Sequence, residues 1–231
     1  MTAVAENKIL EIAGVPHYLA RAPAKTTSGV LLLPHVYGVD HFCQDFAEKL
    51  AARGLTTLVW NPYPELEMGA EFEEGNRPPR RPDEPTMTML GKCVDTMQGD
   101  LGLTKIATIG FCMGGRFVLL FAAREKRLAA GVACYASVPA KLSPGQDIEP
   151  TEVAGQIGCP LLIVYPGLDR VTPRPVFEKL QAALESRQAE TTVLYYPKAE
   201  HGFMHAPSPD NDDATKTALP QIYGFFEAHL S

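Results

Sequence analysis

A mostly parallel central β-sheet with helices on both faces, built as one α/β domain over residues 1–231, is the fold class the sequence predicts. Three observations predict it. The 231 residues are 45% hydrophobic and 21% charged, which is enough apolar material for the core of one compact domain. Short, wholly apolar runs recur along the chain and read as strands buried on both faces. Segments with helical spacing lie between those runs, and such alternation implies a parallel sheet covered on both sides.

Lys8 to Ile12 and Val15 to Ala20 read as two strands around Ala13-Gly14. Val30 to Leu33 is an apolar run ending at Pro34 and suits a buried strand. Asp40 to Arg53 has Phe42, Phe46 and Leu50 at helical spacing and stops at Gly54, a helix C-terminal signal. Thr56 to Trp60 is the next strand. Asn61 to Pro85 is rich in Pro, Gly, Glu and Arg without periodicity, and reads as either a functional loop or a partly mobile segment. Thr86 to Gln98 follows as helix, Ile106 to Gly110 as strand and Arg116 to Arg124 as helix. Ala130 to Cys134 and Pro160 to Tyr165 are two more buried strands. Pro173 to Ser186 is a helix with proline in its first turn. Thr191 to Tyr196 is a strand, and Asp213 to His229 closes the chain as a helix that Pro220 should kink or split.

Several function classes recede at this stage. The net charge of −6 lacks the clustered Lys and Arg that nucleic acid or an anionic membrane rewards. The start of the chain has neither a basic stretch nor a long apolar run, so no secretory signal is read. No apolar stretch approaches the roughly 20 residues of a membrane-spanning helix. The five cysteines, at 43, 93, 112, 134 and 159, form no CxxC pair, which disfavours a disulfide framework or zinc ribbon and makes a reducing cytoplasm the expected location.

Ligands of parallel sheets sit beyond the carboxyl ends of the strands, so the chemistry should lie there. Those ends read Pro34-His35-Val36-Tyr37-Gly38, Gly110-Phe111-Cys112-Met113-Gly114-Gly115, Pro166-Gly167-Leu168-Asp169 and Glu200-His201-Gly202-Phe203. Gly110-Phe111-Cys112-Met113-Gly114 has the pattern of a nucleophile elbow with Cys in place of Ser. Such a turn needs nearly side-chain-free residues two places either side of the nucleophile, because the chain crosses itself there. It presents the nucleophile at a helix N-terminus, where the dipole favours a thiolate. Asp169 and His201 then follow in the order nucleophile, acid, histidine. A phosphate loop is excluded by the absence of Gly-Lys-Ser/Thr and of a third glycine at dinucleotide spacing.

On these residues the chain resembles the dienelactone hydrolase family of the α/β-hydrolase fold, carboxymethylenebutenolidases with a Cys-Asp-His triad. The matching segments are His35-Val36-Tyr37-Gly38-Val39, Gly110 to Gly115, Gly167-Leu168-Asp169-Arg170-Val171-Thr172-Pro173 and Glu200-His201-Gly202-Phe203, and the likeness runs from about residue 8 to the end. It implies Cys112 as nucleophile, His201 as base and later acid, and Asp169 as the residue that orients His201. The chemistry demands the same parts. A thiol is mostly protonated at neutral pH and needs an imidazole to take its proton, and a carboxylate fixes that imidazole's tautomer. The backbone N–H groups of Val36 and Met113 are the matching oxyanion donors.

Two positions depart from the family. Dienelactone enzymes carry a glutamate where this chain has His35, and there it resembles a switch that holds the thiol inactive. They also carry an arginine shortly after the catalytic histidine, where this chain has His205, and that arginine helps bind the substrate carboxylate. Arg77, Arg80 and Arg81 of the Pro/Arg-rich loop are candidates for another carboxylate-binding arginine. The expected substrate-binding set is therefore His35, Tyr37, Arg80, Arg81, Phe203 and His205.

Other candidates have simpler readings. Cys43, Cys93, Cys134 and Cys159 lie among apolar neighbours and read as core. His201 and His205 are four apart, as metal ligands on a helix would be, but Gly202 and Pro207 indicate a loop and no third ligand is spaced for a metal. Asp210-Asn211-Asp212-Asp213 lacks the Gly and closing Glu of a calcium loop and reads as a cap for the last helix. No cofactor or metal is expected. The expected protein is a cytoplasmic cysteine hydrolase acting on a small ester, thioester or lactone, as a monomer or small homo-oligomer. The alternatives are a true carboxymethylenebutenolidase and a hydrolase-fold binding protein without turnover.

Overall fold

The computed structural model describes residues 6–69 and 78–231. Eight strands form one sheet: β1 (Glu6–Ile12), β2 (Val15–Arg21), β3 (Ser28–Leu33), β4 (Thr56–Val59), β5 (Lys105–Phe111), β6 (Leu128–Cys134), β7 (Leu161–Pro166) and β8 (Thr191–Tyr196). Their order is β1-β2-β4-β3-β5-β6-β7-β8. β1 and β2 pair antiparallel, as do β2 and β4, and every later pair is parallel. The β1–β2 hairpin turns on Ala13 and Gly14, both at positive φ (52° and 77°), the twist a two-residue hairpin loop requires.

The central strands are buried on both faces, which explains their unbroken apolar runs. One face carries α1 (His41–Ala51) and α6 (Pro209–Leu230), which pack Phe46, Leu50, Ile222 and Phe226 against it. The other carries α2 (Asp83–Gly99), α3 (Met113–Arg124), the single turn α4 (Pro150–Val153) with a 3₁₀ turn at Ala154–Gln156, and α5 (Arg174–Glu185). This is the α/β-hydrolase fold, a mostly parallel sheet between two helical layers. Among the described residues no helix is long and apolar enough to cross a membrane.

Three expectations need correction. The last helix is neither split by Pro220 nor delayed to Asp213. It runs unbroken from Pro209 to Leu230. Pro220 is exposed, so the backbone bond it forfeits lies on the solvent side, while Ala214, Ala218, Ile222, Phe226 and Leu230 keep a buried stripe. The cap of that helix is Ser208, whose side chain accepts from the Asn211 N–H. α2 begins at Asp83, ahead of the expected Thr86, because Pro85 falls in the first turn, where its missing N–H costs nothing. Finally, α4 and its 3₁₀ turn are too short to leave a periodic signal.

Candidate active site

β5 runs straight into α3 through Cys112, whose backbone sits at φ 50°, ψ −109°, a region L-residues rarely adopt. The crossing that forces this geometry is tight. A Cβ on Gly114 would strike the carbonyl oxygen of Leu33, and one on Gly110 would strike the backbone of Gly114. The strained residue is held from both sides: Cys112 N–H donates to Cys134 O (3.1 Å), and Cys112 O accepts from Ser137 N–H (2.9 Å) and Arg116 N–H (3.1 Å). Cys112 is the one half-buried cysteine, and the other four are buried in the core as expected.

Asp169 follows β7, and its side chain is fully buried. It accepts from the Val171 N–H (2.8 Å) and Thr172 N–H (2.9 Å), and its Oδ2 lies 2.9 Å from His201 Nδ1. A carboxylate held in this way is fixed in place and accepts from Nδ1, so it selects the tautomer that carries its proton there. Burial pulls the His201 imidazole down, but Asp169 and the nearby Cys112 sulfur outweigh it and raise the group to about 9. The remaining nitrogen, Nε2, is buried and makes no aligned hydrogen bond to any described residue, including the Cys112 thiol. That nitrogen is the proton acceptor a thiol nucleophile needs.

Cys112, His201, Val36 and Met113 line one cavity of about 430 Å³, a volume suited to a small organic molecule. Val36 follows β3, and Met113 opens α3, where its N–H has no intrahelical acceptor. Two amides therefore border the nucleophile where an oxyanion would form. His35, Tyr37, Arg80 and His205 also line this cavity.

Two of the expected residues do not reach it. Phe203 is 1% exposed and packs on Tyr135 and Tyr196 in the core, because the turn after Gly202 points it inward. Arg81 stacks on the Tyr63 ring, 5.4 Å from its centroid, and borders a separate groove. Of the three loop arginines, Arg80 is the one found on the cavity wall, and Arg77 lies outside the described residues.

His35 and His205 form a second polar group beside the triad, with ring centroids 4.5 Å apart. His35 is 1% exposed. Its Nδ1 accepts from the Tyr37 N–H (3.2 Å), and its Nε2 lies 3.1 Å from Asp40 Oδ2, close but poorly aligned for a hydrogen bond. His205 Nδ1 lies 3.3 Å from the Tyr135 hydroxyl. Burial, and then the neighbouring His35, push the His205 imidazole down to about 4, so it is neutral at pH 7. The donor atoms of His35, Asp40 and Cys43 lie within 4.8 Å of one another, a set chemically able to hold a metal. One Asp40 oxygen is already committed to capping α1 through Cys43 N–H (3.0 Å), and the other faces His35.

Sequence reading missed the supports of this site. Asp40 reads as a helix start, with nothing to tie it to His35. Asn211 reads as part of an acidic cap, yet it is 2% exposed and accepts from Glu200 N–H (3.1 Å) while donating to Ala206 O (2.7 Å), pinning both ends of the His201 loop. Arg116 did leave a signal, as a charge inside the apolar stretch Met113 to Ala123.

A family model described as the dienelactone hydrolase family matches residues 15–230. A protein of Escherichia coli O157:H7, provisionally assigned as a carboxymethylenebutenolidase, is 29% identical over 82% of this chain and 73% of its own length. The carboxymethylenebutenolidase of Rhodococcus opacus is 24% identical over 99% of this chain and 92% of its own. The crystal structure of a provisionally assigned dienelactone hydrolase from Klebsiella pneumoniae subsp. pneumoniae MGH 78578 superposes with a TM-score of 0.84 at 22% identity. It covers 97% of this chain and 98% of that one.

Proposed function

The chain belongs to the dienelactone hydrolase family and is a hydrolase of carboxylic ester bonds, and from that premise we propose that it cleaves a small ester, thioester or lactone through an acyl-cysteine intermediate on Cys112. The observation that carries this reading is the strained, cavity-facing Cys112 beside a His201–Asp169 couple. His201 takes the thiol proton and becomes an imidazolium paired with the thiolate. The sulfur attacks the substrate carbonyl, and the oxygen that gains the negative charge accepts from the Val36 and Met113 N–H groups. Collapse of this adduct breaks the bond to the leaving oxygen or sulfur, which takes the proton from His201. In the second half His201 removes a proton from water, the hydroxide attacks the acyl-cysteine, and the thiolate departs with release of the acid.

A second reading, hydrolysis of a dienelactone itself, is supported by Arg80 on the cavity wall, where a substrate carboxylate would find a cation. Neutral His205 supplies no second charge there, and Arg116, the other arginine in the wall, is already paired with Asp83. A matched lactone pair, with and without the carboxylate, distinguishes the two by the ratio of kcat/KM.

The mechanism predicts a burst of p-nitrophenol from p-nitrophenyl acetate, equal to the enzyme concentration, as the acyl-cysteine accumulates. Cys112→Ala should keep the fold and lose about three or more decades in rate. A folded Cys112→Ala protein with full esterase activity would overturn the assignment. Ligand binding by the wild type with no burst and no turnover would instead mark a binding protein.

A further inference from the structure

Against the cavity, with Arg116 in its wall, lies an ion pair that has no part in the bond-making steps and whose side chains are closed off from solvent. Arg116, one turn into α3, and Asp83, at the start of α2, both have fully buried side chains. Arg116 Nη1 donates to Asp83 Oδ1 (2.5 Å) and Nη2 to Asp83 Oδ2 (3.0 Å), a two-pronged contact. Nη2 also donates to Ile148 O (2.7 Å). Asp83 Oδ2 accepts from the Asp147 N–H (2.8 Å) and Ile148 N–H (2.9 Å), and the Asp83 N–H donates to Gly145 O (3.0 Å).

This pair joins three segments of the cavity wall. Arg116 belongs to the helix that Cys112 opens, and its N–H bonds the Cys112 carbonyl. Asp83 follows Arg80 by three residues. The 145–148 stretch carries Gln146, and both Arg80 and Gln146 line the cavity. Two segments without helix or strand of their own, 78–82 and 137–149, are thus tied to the nucleophile's helix at one buried point. Burying an ion pair costs desolvation of both charges, and an apolar pair of similar volume often serves stability as well. What an apolar pair cannot supply is the set of directed side-chain bonds to Asp147 and Ile148.

We propose that Asp83 and Arg116 are positioning residues that hold the Arg80 and Gln146 wall against the Cys112 helix and so set substrate affinity, separately from the chemistry at sulfur. The proposal rests on the cavity being the catalytic one. A wall displaced far enough to lose one charged hydrogen bond to substrate weakens binding by roughly tenfold or more. The elbow itself is held independently, by the bond to Cys134 in β6 and the crossing at Gly114.

Four proteins test this: wild type, Asp83→Asn, Arg116→Lys, and the double variant Asp83→Leu/Arg116→Met, which replaces the ion pair with apolar volume. Each is measured for thermal midpoint, kcat and KM on one ester, and the rate of iodoacetamide alkylation of Cys112. The expected double variant is folded, alkylates within about threefold of wild type, and shows KM raised by roughly tenfold or more. A folded double variant with wild-type KM would overturn the proposal and leave the pair a purely structural bond. If the double variant does not fold, Arg116→Lys decides. It keeps the charge and loses the two-pronged geometry, so raised KM with unchanged alkylation supports the proposal, while unchanged KM, or alkylation slowed as much as turnover, overturns it. Full esterase activity in a folded Cys112→Ala protein would sink the acyl-cysteine reading instead, and loss of activity there with unaltered KM in the Asp83 and Arg116 variants would sink only this one.

Discussion

Asp169 governs how His201 titrates, and the pH dependence of activity follows from that one contact. The folded-state value of about 9 lies above the usual 6.5, so a proton that His201 takes from the thiol is held through neutral pH and lost as pH rises through about 9. In the proposed mechanism that imidazolium protonates the leaving group, so kcat/KM should fall on the alkaline side near that value. Asp169→Asn removes the carboxylate that outweighs burial. The alkaline limb should move to lower pH, and kcat should drop by about two to four decades. A kcat/KM profile of both proteins across pH 6–10 checks this, and an unmoved limb would mean that another group sets it. His35 and His205 had marked themselves in the sequence as departures from the family. Their pairing, and the pairing of His35 with Asp40, were invisible there, because ring contacts at 4.5 Å depend on where two distant strand ends meet.

At the scale of the element, the elbow is the part most legible in the sequence. Glycine at 110 and 114 is demanded by a backbone crossing, and a crossing leaves no room for compensation. Gly114→Ala would push a methyl group into the Leu33 carbonyl, which belongs to a central strand and cannot retreat. The substitution should destabilise the protein by at least about 2 kcal/mol and abolish turnover, measured by urea unfolding and by the p-nitrophenol burst. Gly224→Ala is the control, since its Cβ would meet nothing and alanine favours the helix interior. Elements that interrupted their own signals were harder to read. Pro85 and Pro220 look like breakers, yet one lies in a first turn and the other on a solvent-facing helix surface. Neither fact is local to the proline.

For the whole molecule, the histidines shape stability in opposite directions. The folded value of His205 is depressed to about 4, against about 6.5 in the unfolded chain. Between those values the unfolded chain binds a proton that the folded state refuses, so stability is lost as pH falls from about 6.5 to about 4. His17, fully buried and shifted the same way by its burial, adds to that loss. His201 works the other way: its contribution is fully present below about 6.5 and is lost as pH rises through about 9. His205→Gln should therefore flatten the acid side of the stability profile, read as urea midpoints at pH 7 and pH 4.5. An equal acid loss in that variant would assign the effect to His17 and the carboxylates.

The sequence by itself determined the sheet, both helical layers and the elbow. Each of these rests on local physics: apolar runs of strand length, helical spacing, and glycines a turn cannot do without. Order along the chain then marked Cys112, Asp169 and His201 for the roles proposed above. Only the tertiary structure decided that Arg80 and not Arg81 reaches the cavity, that Phe203 turns into the core, and that Asn211, Asp40 and the Asp83–Arg116 pair support the site. Those facts join residues far apart in the chain, as the bond between Asp83 and Ile148, 65 positions on, does. A side chain's direction across such a span is set by packing, which leaves no periodic mark in the residues themselves.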